Sequence, residues 1–167
     1  MKPSPKELAS QIFRMRGRKA SVVMLMWANW LLLGVSWGMS LRIYARLPGR
    51  MALWSSLWRQ TPAVVGKSLA FFFYPAVQTA VFLGGMAILG RFFLKSRDTR
   101  DLSSLKAEVS YLEMIFINLL FIHFQTSLIL VSYGQGRGAN VSYVMIILAV
   151  IVMLVPYYHV RRRLLAR

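Results

Sequence analysis

YLEMIFINLLFIHFQTSLILVSY, residues Tyr111–Tyr133, is long and apolar enough to cross a bilayer as a helix, and it holds no Lys, Arg or Asp. A spanning helix needs about 20 mostly apolar residues. Three more stretches share the property: Ala20–Leu41, Ser68–Gly90 and Asn140–Val160. Hydrocarbon offers no partner for backbone N–H and C=O groups, so such stretches are expected as helices. The fold class read from them is an all-α membrane protein. It is a four-transmembrane-helix bundle in one domain over residues 1–167, with spans 20–41, 68–90, 111–133 and 140–160.

The totals agree. The chain is 57% hydrophobic, and its net charge of +16 comes from 21 Lys+Arg against 5 Asp+Glu. So basic a chain raises nucleic-acid binding as a class. The cations, however, gather at the ends of the apolar stretches, where they mark membrane boundaries and attract anionic headgroups. No nucleic-acid partner is expected; the lipid bilayer is. The absence of cysteine excludes disulfides and thiolate chemistry. The run Ala20–Leu41 is longer than a signal-peptide core and lacks a small-x-small cleavage pattern, so it is expected as a retained helix.

The arginines and lysines also suggest an orientation. Six precede the first span (Lys2, Lys6, Arg14, Arg16, Arg18, Lys19), five lie in the second loop and four in the tail. The opposite side carries five in the first loop and Arg137 in the third. The positive-inside rule then puts both termini in the cytoplasm, and the expected location is a bacterial inner membrane. Tyr133, Tyr143, Tyr157 and Tyr158 sit near span ends, where amphipathic rings prefer the interface.

Polar residues inside the spans follow a pattern. Tyr111, Asn118, Gln125 and Ser132 recur every seven residues, nearly two helical turns, and form one stripe. Asn29 and Ser36 repeat the spacing in the first span. Such a stripe is expected to face neighbouring helices, through inter-helix hydrogen bonds or as the lining of a small polar pocket. His123 lies in the same span, with Ser127 one turn on as a hydroxyl partner. Ionisable residues in a span are functional candidates by default. Here no second ligand sits at metal-binding spacing, so a satisfied neutral histidine is expected. Glu113 reads as a boundary carboxylate, solvated or paired with Lys106. Gly34 and Gly38 form a GxxxG pair, and Ala76, Ala80 and Gly84 extend the idea, so helices are expected to approach closely there. Pro75 should kink the second helix or end its first turns.

The first loop differs from the others. In Leu47–Trp58, the residues Leu53, Trp54, Leu57 and Trp58 have helical spacing, which predicts a short interfacial helix. With its flanks, the segment resembles a bacterial membrane domain of unknown function that also forms the N-terminal part of SdpI-like immunity and signalling proteins. Tyr44, Leu47, Pro48, Arg50, Met51, Leu53, Lys67 and Pro75 fall at that domain's positions and spacing, and the resemblance covers about residues 20–95. Trp54 stands where the family has His, Arg59 where it has Gly, and Pro62 where an acidic residue is common. Any contact made through the family's His is lost here.

The resemblance implies a non-enzymatic multi-pass protein that binds a secreted peptide or signals through a partner. Leu47, Pro48, Arg50, Trp54, Trp58 and Lys67 are its candidate binding residues; Asn118, His123 and Gln125 are candidates within the membrane. An accessory or assembly subunit of a larger membrane complex is the alternative, and a homo-oligomer stays open. No catalytic motif of the H-E-x-x-H, G-x-S-x-G or P-loop kind occurs, so no catalytic residue, metal or cofactor is expected.

Overall fold

The computed structural model describes the backbone of residues 5–52, 64–95, 100–135 and 138–165, and the side chains of these except 5–19, 92–95 and 100–101. Helix α1 (Pro5–Tyr44) leads to a strand pair, β1 (Arg50–Ala52) and β2 (Val64–Gly66). A 3-10 turn (Leu69–Phe72) opens helix α2 (Phe73–Lys95), followed by α3 (Arg100–Ser132) and α4 (Val141–Leu165). All four helices are long and apolar enough to cross a membrane, over Ala20–Tyr44, Leu69–Arg91, Leu102–Ser132 and Val141–Leu165.

The distribution of side chains identifies the solvent. Asn29, Ser36, Ser40, Gln78, Asn118 and Gln125 are buried, while Met24, Trp27, Leu31, Met145, Ile146 and Met153 are exposed. A water-soluble protein does the reverse with its large apolar and amide side chains. The arrangement is stable where the surroundings are hydrocarbon and amides can find partners only inside.

Helix α3 is central and packs on the other three, and α4 packs chiefly on α3. The third helix extends well before the apolar run that begins at Tyr111. Its polar first turns place Leu105, Ala107 and Val109 in the interior, so neighbours rather than hydropathy sustain it. One core layer joins Leu33, Phe82, Ala107, Tyr111 and Met114. A second, at the opposite end, joins Leu47, Met51, Ala52, Phe71, Leu128 and Ile129.

The described part of the first loop is not helical: Arg50, Met51 and Ala52 pair antiparallel with Gly66, Val65 and Val64. Backbone groups at a bundle end need partners once water is partly excluded, and a closed strand pair supplies them. Leu53, Trp54, Leu57 and Trp58, on which the interfacial helix was read, lie outside the described residues. The small-residue motifs do not serve close approach within the bundle either. A Cβ added at Gly34, Gly38 or Gly84 would meet nothing within 4 Å, and Ala76 and Ala80 are exposed. At Gly85 a Cβ would stand 3.0 Å from the Met114 methyl, a contact with a side chain and not with a helix backbone.

The prolines behave differently from each other. Pro75 sits in the first turn of α2, where its missing N–H is an orphan anyway. Pro156 lies inside α4, an interior proline that sequence reading passed over.

Candidate functional site

Two regions hold most of the described candidate residues: the cap formed by the first loop, and the polar seam between the helices.

The cap grows from the end of α1. A turn closes with Arg46 N–H donating to the Ile43 carbonyl at 2.8 Å and Leu47 N–H to Tyr44 at 3.3 Å. It tucks Leu47 into the core and leaves Pro48 and Arg50 exposed. Lys67 N–H returns to the Gly49 carbonyl at 2.9 Å and closes the base of the strand pair. The Lys67 ammonium lies 4.9 Å from the centroid of the Tyr44 ring and donates to the Ala45 carbonyl at 3.3 Å. Lys67 thus covers the C-terminal end of α1, where a cation complements the helix dipole.

Helix α3 clamps the other side of the cap. Ala52 N–H donates to Ser132 Oγ at 3.1 Å, and that hydroxyl donates in turn to the Leu128 carbonyl at 2.8 Å. Tyr133 donates from its hydroxyl to the Arg46 carbonyl at 2.9 Å. Met51 and Ala52 are both buried. Successive strand residues point to opposite faces, so both faces of β1 are covered there. Leu47 and Met51 therefore hold the cap onto the bundle. Pro48, Arg50 and part of Lys67 remain at its surface, and Trp54 and Trp58 lie outside the described residues.

The seam is a run of amides across three helices. Gln78 Nε2 donates to Asn118 Oδ1 at 3.0 Å, and Asn118 Nδ2 donates to Asn29 Oδ1 at 2.7 Å. Asn29 Nδ2 then donates to the backbone carbonyls of Leu25 at 2.9 Å and Tyr111 at 3.0 Å. Two turns further along α3, Gln125 Nε2 reaches the Phe71 carbonyl at 3.4 Å. The heptad stripe of α3 therefore meets α1, α2 and the strand pair in turn: Tyr111 and Asn118 on α1, Asn118 on α2, Gln125 at the 3-10 turn, and Ser132 on β1. The seam runs toward the cap. Gln78 was not anticipated; its only signal was being the lone amide of its span. Trp37 Nε1 and Thr79 Oγ1, 2.9 Å apart, add a further α1–α2 bond.

His123 is turned away from that seam. Its Nε2 accepts the Asn140 N–H at 3.0 Å, and its ring centroid lies 4.4 Å from that of Tyr143. The Nε2 lone pair is in use, so this is the neutral ring with its proton on Nδ1. Asn140 in turn caps α4, its Oδ1 accepting the Tyr143 N–H at 3.3 Å. The histidine thus satisfies a free N–H at the start of α4; Asn140, not Ser127, is the partner observed. Glu113 also faces α4. With Lys106, Ser110, Leu154, Val155 and Tyr158 it lines a groove of about 200 Å³. Among the described residues, no group of three His, Cys, Asp or Glu is placed to hold a metal ion.

The chain matches no family model, no curated protein and no solved structure.

Proposed function

We propose that this chain is a non-enzymatic, multi-pass protein of the SdpI-like type in a bacterial inner membrane. Both termini are cytoplasmic, and the cap of the first loop receives a secreted peptide for immunity or signalling. The observation that carries the reading is the anchoring of the cap. Its base is bonded to α1 through Lys67 and to α3 through Ser132 and Tyr133. Helix α3 carries both the Ser132 clamp and the Asn118 amide, so the cap and the seam share one element. The exposed arginines Arg46 and Arg50 suit the carboxylates of a peptide, and Arg is among the residue types that dominate interfaces.

The test compares cells with and without the gene when challenged with secreted peptides, then repeats the challenge with Arg46→Ala/Arg50→Ala. Protection that depends on the gene and weakens in the double variant is expected. Equal sensitivity to every peptide with and without the gene would reject the immunity role.

One observation favours the accessory-subunit reading. The GxxxG glycines of α1 face outward with open space before them, as a helix would if it met one in another protein. Purification from native membranes separates the two: a stoichiometric second protein lost on Gly34→Leu supports the subunit, and a chain free of other proteins supports the peptide receptor.

A further inference from the structure

The amide relay ends on an open acceptor. Donation runs one way, from Gln78 to Asn118 to Asn29 to the backbone. It leaves Gln78 Oε1 at its head with no hydrogen-bond partner among the described residues. Gln125 donates its N–H to Phe71 and presents Oε1 in the same state, as does the hydroxyl of Ser36. All three side chains are fully buried, at 0% exposure. A buried acceptor left without a donor is strongly disfavoured, more so where no bulk water can reach it.

The helix register draws the three together. Asn29 and Asn118 are bonded across the parallel helices α1 and α3, and Ser36 and Gln125 each lie seven residues further on. They share the next level. Helix α2 runs the other way, since Gln78 meets Asn118 while Phe71 meets Gln125. Side chains lean toward the N-terminus of their own helix. Gln78 therefore leans up toward the Ser36–Gln125 level, and Ser36 and Gln125 lean down toward Gln78.

The unmet demand is two acceptors and one hydroxyl. A molecule with two donor hydrogens and a lone pair completes all three. The oxygens are neutral, and the ionisable residues nearest along the span, Glu113 and His123, both turn to α4. A cation there would have no counter-charge, so the ligand is neutral and small. We propose that the seam between α1, α2 and α3 binds one sealed water molecule. It donates to Gln78 Oε1 and Gln125 Oε1 and accepts from the Ser36 hydroxyl. Two to four polar partners are what an internal water takes. The water joins the amide layer to the layer beneath the cap, making the seam continuous from Asn29 to Phe71.

Water-edited solid-state NMR on the full, isotope-labelled chain in hydrated bilayers tests this. Magnetisation from water should reach the side-chain amides of Gln78 and Gln125 but not the methyls of Leu128, which is equally buried. Ser36→Val, which puts a methyl where the hydroxyl was, should cut the transfer at both glutamines several-fold. Glutamines as dry as Leu128 in the natural chain would overturn the proposal without any variant. So would full transfer persisting in a folded Ser36→Val, or glutamine carbonyl shifts that follow replacement of sodium by choline with no water transfer.

Discussion

Replacing Asn118 with leucine should be among the most damaging single changes available inside the membrane. The side chain makes two bonds at once, accepting from Gln78 at 3.0 Å and donating to Asn29 at 2.7 Å. Hydrogen bonds between membrane helices average about 0.6 kcal/mol and reach about 1.7 kcal/mol. Two bonds then set a loss of about 1–3 kcal/mol. Gln78 Nε2 and Asn29 Oδ1 are also stranded in the interior, and an unsatisfied buried group costs about 1–3 kcal/mol by itself. These contributions overlap, so the expected loss for Asn118→Leu is about 2–4 kcal/mol, at least about a thirty-fold change in the folded-to-unfolded ratio. Reversible unfolding in bicelles, followed by tryptophan fluorescence, measures it. A cycle with Asn29→Leu should give a coupling of about 0.6–1.7 kcal/mol for that bond. Replacing Asn29, Gln78 and Asn118 together with leucine should cost less than Asn118→Leu alone, since neither Gln78 Nε2 nor Asn29 Oδ1 is then left stranded. Met24→Ala, on the exposed face of α1, serves as the control. A loss below about 0.5 kcal/mol for Asn118→Leu, the level of an ordinary surface change, would refute the relay.

Three more outcomes follow from local geometry. His123→Phe keeps a ring beside Tyr143 but removes the acceptor for the Asn140 N–H, so that amide should exchange about tenfold faster, as befits one lost hydrogen bond. An imidazolium has no lone pair to accept this bond, so acidification should loosen the same amide in the natural chain and not in His123→Phe. Ser132→Ala removes the acceptor of the Ala52 N–H and should raise exchange at Ala52 while leaving Asn118 unchanged, at a cost of about 1 kcal/mol. Gly34→Ala should leave the isolated bundle unchanged or stabilise it by up to about 1 kcal/mol, alanine being the better helix former; Gly85→Ala should show no such gain, because it presses on Met114. Thermal unfolding in detergent compares the two.

Much of the bundle was legible because lipid leaves few choices. An amide must face a neighbour, so a heptad of Asn118, Gln125 and Ser132 marks the inner face of α3 before any contact is known. The same logic on α1 explains why the glycines face away from this bundle. At 3.6 residues per turn, Gly34 and Gly38 lie about 140° and about 180° around the helix from Asn29. A face that buries Asn29, Ser36 and Ser40 must turn Gly38 outward; spacing alone carries no such azimuth. The strands were not legible. Three residues are too few for alternation to show, and the register that sets Arg50 against Gly66 depends on where the first loop turns back. Asn140 was equally hidden as the partner of His123. The pairing depends on where the third loop starts α4, a distance no periodicity encodes.

The bundle keeps its amides inside and its large apolar side chains in lipid. The cysteine-free chain allows it to be measured with single spin labels. Labels at Leu31 and Met153 should be broadly accessible to oxygen and shielded from a water-soluble nickel relaxer, while a label at Gly49 shows the opposite. Water access at Leu31 and Met153 matching that at Gly49 would contradict the bundle as described.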